Sequence, residues 1–286
     1  MTQEMLIFGM GYTGTRLRDA LLARGWRVTG VRREASEGVL AFDDVAGIRA
    51  ALARATHILS SVPPYPTGQD PVLEHFHVEI ALDKRWVGYL SSTGVYGDTG
   101  GAWVDESAPI GTGRRSARAS ADRAWQALRA DIRVFRLPGI YGAGRSALDR
   151  VREEKANRID LPDQIFSRIH VDDIITAVLA SFDAPPGVYN VADDTPASQN
   201  AVIEYACDLL GLAVPPLLPL EEAKLSPQAR AFYAENRRVA NGKAKRLLRW
   251  RPAFPDYRAG LAMLLAAERL SARFAPGASP AKLYAE

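Results

Sequence analysis

Strand and helix signals alternate along the first half of this 286-residue chain, and that rhythm is what most restricts its fold. Residues 5–8 are a short apolar run that ends in glycine. Residues 13–24 follow with a helical period, Leu17, Ala20, Leu21 and Arg24 being spaced by three or four, and Gly25 closes the stretch. The same reading predicts strands over 26–31, 39–42, 56–62, 86–92 and 132–137, and helices over 45–55, 72–82 and 116–130. Pro63-Pro64 and Pro138 stop two of the strands. Strands separated by helices need right-handed crossovers, which build a parallel, doubly wound α/β sheet. Residues 56–62 and 132–137 suit strands covered on both faces. After Tyr141 the rhythm loosens into helices over 172–182, 198–210, 242–249 and 257–272, with one short strand over 188–191. The tail 275–286, with small residues and two prolines, reads as poorly ordered.

Composition removes several function classes. Apolar residues at 47% and charged residues at 24% describe a globular chain rather than a disordered one. The 36 basic and 33 acidic residues nearly cancel, and no long basic run offers a nucleic-acid footprint. The single cysteine, Cys207, excludes an intramolecular disulfide and any multi-cysteine metal site. No apolar run approaches the ~20 residues of a membrane span, and no targeting layout precedes the first strand. The chain reads as cytoplasmic, with no membrane partner.

The segment Gly9-Met10-Gly11-Tyr12-Thr13-Gly14 leaves the first strand and opens the first helix. Gly9 permits the tight turn, Gly11 lets a diphosphate approach the backbone, and Gly14 lets helix pack closely on strand. The free N–H groups of the helix start, at Tyr12 and Thr13, then face an anion. This spacing in this setting is a dinucleotide-binding signal. Selectivity between dinucleotides is set about 20 residues further on. Arg32 stands 21 residues after Gly11, with Arg33 beside it, where an NAD site would carry a carboxylate. Guanidinium groups match a 2′-phosphate, so the expected cofactor is NADP rather than NAD. Asp43 either approaches the adenine or caps the next helix; the sequence leaves both open. Ser91-Ser92-Thr93-Gly94-Val95-Tyr96-Gly97 puts hydroxyls at the C-terminal end of a strand, where open parallel sheets hold their ligands.

Several ordered motifs resemble one family. The glycine loop, Ser91 to Gly97, Arg136-Leu137-Pro138-Gly139-Ile140-Tyr141-Gly142, Arg168-Ile169-His170-Val171-Asp172-Asp173-Ile174 and Tyr189-Asn190-Val191-Ala192-Asp193 are similar, in that order, to the extended and atypical short-chain dehydrogenases/reductases, the NAD-dependent epimerase/dehydratase group. The resemblance runs from Met5 to about Asp256. It implies a Rossmann domain over 1–141, with 184–195 returning to the sheet, and a smaller substrate lobe over 142–183 and 196–286. It implies catalysis at Ser92, a cofactor passing Ser60 and Ser61, a nicotinamide near Pro138, and an architectural role for His170 and Asp172. No second His or Cys neighbours that motif, so no metal is expected. Paired helices at one edge of such folds often make homodimers.

The same resemblance exposes a gap. The family's proton transfer needs a tyrosine followed four residues later by a lysine. Residues 97–131 contain neither. The best register puts Arg114 at the tyrosine position, Arg118 at the lysine position and Asp122 at a following acidic position. Arg118 could bond a ribose, but Arg114 cannot donate a proton near neutrality. Tyr96, Tyr141 and Tyr65 are the replacement candidates. Two functions follow as expectations: an NADP-dependent oxidoreductase or epimerase acting on a small carbonyl or hydroxyl compound, sugar-like for instance, or a catalytically silent NADP(H)-binding sensor or interaction protein.

Overall fold

The computed structural model describes residues 3–274 apart from 83, 84, 112 and 114, so the expected loose tail lies outside the described residues. Its centre is a sheet of parallel strands: β1 (Glu4–Phe8), β2 (Arg27–Arg32), β3 (Val39–Ala41), β4 (His57–Ser60), β5 (Trp86–Ser92), β6 (Arg133–Leu137) and β7 (Gly187–Asn190). Their spatial order is β7-β6-β5-β4-β1-β2-β3. The register sets Phe8 beside Val31 and Ser60, and Ser92 beside Leu137. The chain thus winds outward from β1 in both directions. The crevice beyond the strand ends at β1 and β4 is where such a sheet takes ligands.

Ten helices are described: α1 (Tyr12–Leu22), α2 (Val45–Arg54), α3 (Pro71–Ala81), α4 (Ser116–Leu128), α5 (Ala147–Arg152), α6 (Val171–Ala180), α7 (Gln199–Leu210), α8 (Pro227–Phe232), α9 (Gly242–Leu247) and α10 (Tyr257–Arg273). Strand alternation explains the two layers. Met5 and Ile7 point to the side covered by α1, α6 and α9, where Leu17, Ile174, Val178 and Leu248 complete a core. Leu6 and Phe8 point to the other side, against Ile48, Phe76 and Trp125 of α2, α3 and α4. Each such side chain, fully buried, contributes roughly 1.5–3 kcal/mol. Tyr89 stacks on Trp125 with ring centroids 5.1 Å apart and planes 12° from parallel.

A separate core joins α5, α7 and α10 through Leu148, Val202, Ile203, Leu261 and Leu264, with Cys207 buried among them. Two short parallel pairs fasten this region to the sheet: Gly139–Tyr141 with Arg168–His170, and Trp103–Val104 with Arg238–Val239. None of these pieces was expected, nor were α5 and α8, because two or three strand residues carry no readable period. The fourth strand also ends at Ser60 rather than 62. Ser61 turns toward the glycine loop, its N–H donating to the Phe8 carbonyl at 2.8 Å. Among the described residues, no helix is long and apolar enough to cross a membrane.

Candidate functional site

The glycine loop is shaped by what each glycine prevents. Gly9 has a φ of +95°, a region that favours glycine, and a Cβ there would strike the Ser61 hydroxyl. Ser61 Oγ donates to the Gly9 carbonyl at 2.8 Å, fastening the loop to β4. A Cβ on Gly14 would strike the Gly9 carbonyl oxygen, so α1 seats closely only with glycine there. Gly11 differs from both: a Cβ would meet nothing within 4 Å. Its openness is room for something that is not protein.

The start of α1 is also left electrostatically open. Side chains cap α2, α3, α5, α6, α7, α8 and α10, through Asp44, Asp70, Ser146, His170, Ser198, Ser226 and Asp256. α1, α4 and α9 have no such cap, and α1 has no acidic residue in its first turn. Free N–H groups and the positive end of the helix dipole are what an anion would meet there.

The starts of α1 and α4 border one cavity of about 540 Å³, lined by Gly11, Tyr12 and Thr13 from α1 and by Arg115 and Arg118 from α4. Ser61, Ser91, Ser92 and Pro138 line it from the strand ends. The two serines at the end of β5 do different work. Ser91 is buried and donates to Asp122 Oδ2 at 2.5 Å. Ser92 Oγ accepts the Gly94 N–H at 3.1 Å, which leaves its own proton free to reach a ligand. Arg118 is half-buried and forms no ion pair among the described residues. Arg115 lays its aliphatic stem over Gly94 and its guanidinium over the Phe232 ring, 5.2 Å from the centroid.

Beneath Ser91 runs a closed polar chain. Asp122, with no exposed surface, accepts from Arg136 Nε at 3.1 Å and Nη2 at 2.9 Å, and from Gln126 at 2.6 Å. Arg136 Nη1 donates to the Tyr96 hydroxyl at 2.9 Å, which donates to Asn190 Oδ1 at 2.7 Å. Tyr96 is therefore not brought to the cavity. It is 2% exposed, and burial outweighs the nearby Arg136 cation to make its phenol harder to ionise than a free tyrosine. Tyr141 does not reach the cavity either: its hydroxyl donates to the Asp256 carbonyl at 3.3 Å, and burial raises its pKa strongly. Tyr65 is exposed on the loop after β4, and Arg114 lies outside the described residues.

The remaining expected residues stand at the edges. Arg32 and Arg33 are exposed at the end of β2 and form no ion pair among the described residues. Asp43 is exposed, and its neighbour Asp44, not Asp43, caps α2. Ser60 is fully buried and accepts from the Val62 N–H at 3.4 Å. His170 caps α6 by accepting the Asp172 N–H at 3.2 Å, Asp172 faces Arg16 at 3.3 Å, and Asp173 accepts the backbone N–H groups of Ala253 and Phe254. Sequence reasoning missed the far wall of the cavity, where Arg150, Arg168, Gln199 and Tyr233 stand. One signal was available: Arg168 opens the motif that runs on through His170 to Asp173, a cation directly before Ile169.

No protein-family model matches the chain. A 3-diazoavenalumate denitrifying reductase from a Streptomyces species is 30% identical over 45% of each chain, so the chain spans under half the length of that relative. Among solved structures, a conserved protein of unknown function from Silicibacter pomeroyi is 43% identical, covering 93% of this chain and 99% of its own at a TM-score of 0.82. A Methylobacillus flagellatus protein assigned to the NAD-dependent epimerase/dehydratases is 25% identical, covering 94% and 100% at 0.71. The fold is the one that NAD-dependent epimerase/dehydratases of the extended short-chain dehydrogenase/reductase group adopt. Ser92 and Arg118 are among the polar groups that line the cavity with Pro138, while residues 97–131 supply no tyrosine or lysine.

Proposed function

We propose that the protein binds NADP(H) across the ends of β1, β2 and β4 and uses it as an oxidoreductase or epimerase on a small carbonyl or hydroxyl compound. The observation that carries this reading is the open, uncapped start of α1 at Gly11, beside a cavity that holds Ser92. Gly11, Tyr12 and Thr13 would hold the diphosphate, Ser61 and Pro138 would border the nicotinamide half, and Arg118 would bond its ribose. Arg32 and Arg33 would take the 2′-phosphate, Asp43 standing nearby. Bound NADP(H) would supply the hydride chemistry. Ser92 would donate its hydroxyl proton as a hydrogen bond to the substrate oxygen and so orient it. The substrate lobe we assign to residues 142–183 and 196–286, less α6 and α9, whose side chains pack against the sheet.

Cofactor choice gives a direct test. Calorimetric titration should find NADPH bound more tightly than NADH. Arg32→Ala should weaken NADPH about tenfold, the worth of one charge-assisted contact, and leave NADH unchanged. Equal affinity for the two cofactors would overturn the selectivity assignment.

A second reading, a silent NADP(H)-responsive sensor, is favoured by one observation: residues 97–131 contain neither a tyrosine nor a lysine. NADPH consumption with any sugar, aldehyde or ketone, lost in Ser92→Ala while NADPH affinity stays the same, would decide for the enzyme. NADPH binding without turnover across the panel would decide for the sensor.

A further inference from the structure

The cavity carries more positive charge than a cofactor accounts for. Its described lining holds six guanidinium groups and one carboxylate, Glu235, and that carboxylate pairs with Arg237 at 2.9 Å. Arg168 is the most constrained of the six. It is 7% exposed, and it donates only to neutral acceptors: the carbonyls of Phe166 at 2.9 Å, Ala197 at 2.8 Å and Ser198 at 3.5 Å, and Gln199 Oε1 at 3.0 Å. No carboxylate lies within ion-pair distance of it among the described residues. Buried cations are ordinarily paired, because desolvation is otherwise uncompensated.

The acid nearest to this role is Asp193. Its N–H donates to the Arg168 carbonyl at 2.7 Å, it is 1% exposed, and neither carboxylate oxygen closes a hydrogen bond. Burial, reinforced by the charges of Asp194 and Asp256 and opposed by Arg168 and the Thr195 N–H, pushes its carboxyl up to about 8. Tyr141 also feels its charge. Burial thus disfavours the charged form of Asp193, the acid whose field acts most on Arg168, and no ion pair joins the two. Arg150 lines the same cavity, and the charges of both guanidinium groups act on the phenol of Tyr233.

We propose that the wall formed by Arg150, Arg168 and Gln199 receives an anionic group of the substrate, a carboxylate or a phosphate. This rests on the reading above in one respect: the ligand is the substrate of a nicotinamide enzyme, its anion held in the lobe while its reacting oxygen meets Ser92. The site also has a proton linkage. An anion beside Arg168 offsets the field that favours ionised Asp193, so binding favours the protonated carboxyl. For a ligand of constant charge, affinity should be flat well below that carboxyl's pKa and weaken as pH rises through the region near 8.

The test uses malonate and inorganic phosphate as separate probes, titrated calorimetrically into the full chain. Gly11→Asp protein is run alongside, since it lacks the diphosphate seat. At least one probe should bind with a Kd below about 10 mM to both proteins, and malonate or phosphate alone doing so tells carboxylate from phosphate. Arg150→Gln should weaken that binding about tenfold. Asp193→Asn should retain binding and lose its decline above pH 8, a readout that a merely structural role would not move. Absence of binding by both probes, or binding lost in Gly11→Asp but unaltered in Arg150→Gln, overturns the proposal. Neither result touches the cofactor reading, which stands or falls on the NADPH titration.

Discussion

Asp122→Ala is expected to cost about 3–5 kcal/mol of folding stability, as much as truncating a large core side chain. The reason is what it strands. Arg136 is 3% exposed and is held by both Asp122 oxygens. Without the carboxylate, a guanidinium remains in the core with only the Tyr96 hydroxyl to receive it, and Ser91 and Gln126 lose their acceptor as well. In a chain of this size that loss lowers the melting temperature on the order of 10 °C. Urea unfolding of wild type, Asp122→Ala, Arg136→Met and the double variant checks it. The double variant should recover most of the loss, because an apolar pair leaves no buried charge uncompensated. A single-variant cost below about 1 kcal/mol would mean that the network is ornamental. The consequence reaches the site: Ser91 is locked only while Asp122 accepts its proton, and that division of labour leaves Ser92 free.

This network also marks how far the sequence could be read. The alternation of apolar runs and helical periods is a local signal, so β1 through β6 and the helices between them were legible to within a residue or two. The glycine loop was legible for the same reason, since its physics lies inside six residues. Asp122 was placed only as an acidic position on a helix; its partner stands 14 residues on, in another element. The signal was Arg136 itself, a cation inside the buried run Arg133 to Leu137, which demands a partner whose identity only the fold supplies. The far wall of the cavity was illegible in a stronger sense. Arg150, Arg168, Gln199 and Tyr233 come from four separate segments with no common spacing. Tyr96 shows the converse: a motif put it beside the catalytic serine in sequence, while the turn over Thr93–Tyr96 carries its hydroxyl inward to Asn190.

Gly11→Asp should abolish NADP(H) binding, by at least about a hundredfold, without lowering stability. The two halves of that statement have one cause. Gly11 is the N-cap of α1, its φ of −90° is ordinary, and its Cβ would meet nothing. Aspartate is among the best caps, so the helix should hold or gain a few tenths of a kcal/mol by closing its free N–H groups. Those are the groups a diphosphate needs, and a carboxylate there repels it as well. Gly14→Ala must behave otherwise, since its methyl group would press into the Gly9 carbonyl and move α1 off the loop. It should lose both stability and binding. Thermal melting paired with calorimetric NADPH titration separates the two variants. If Gly11→Asp binds NADPH as wild type does, the loop is only a turn. If it melts far below wild type, the open start of α1 was never held open for a ligand.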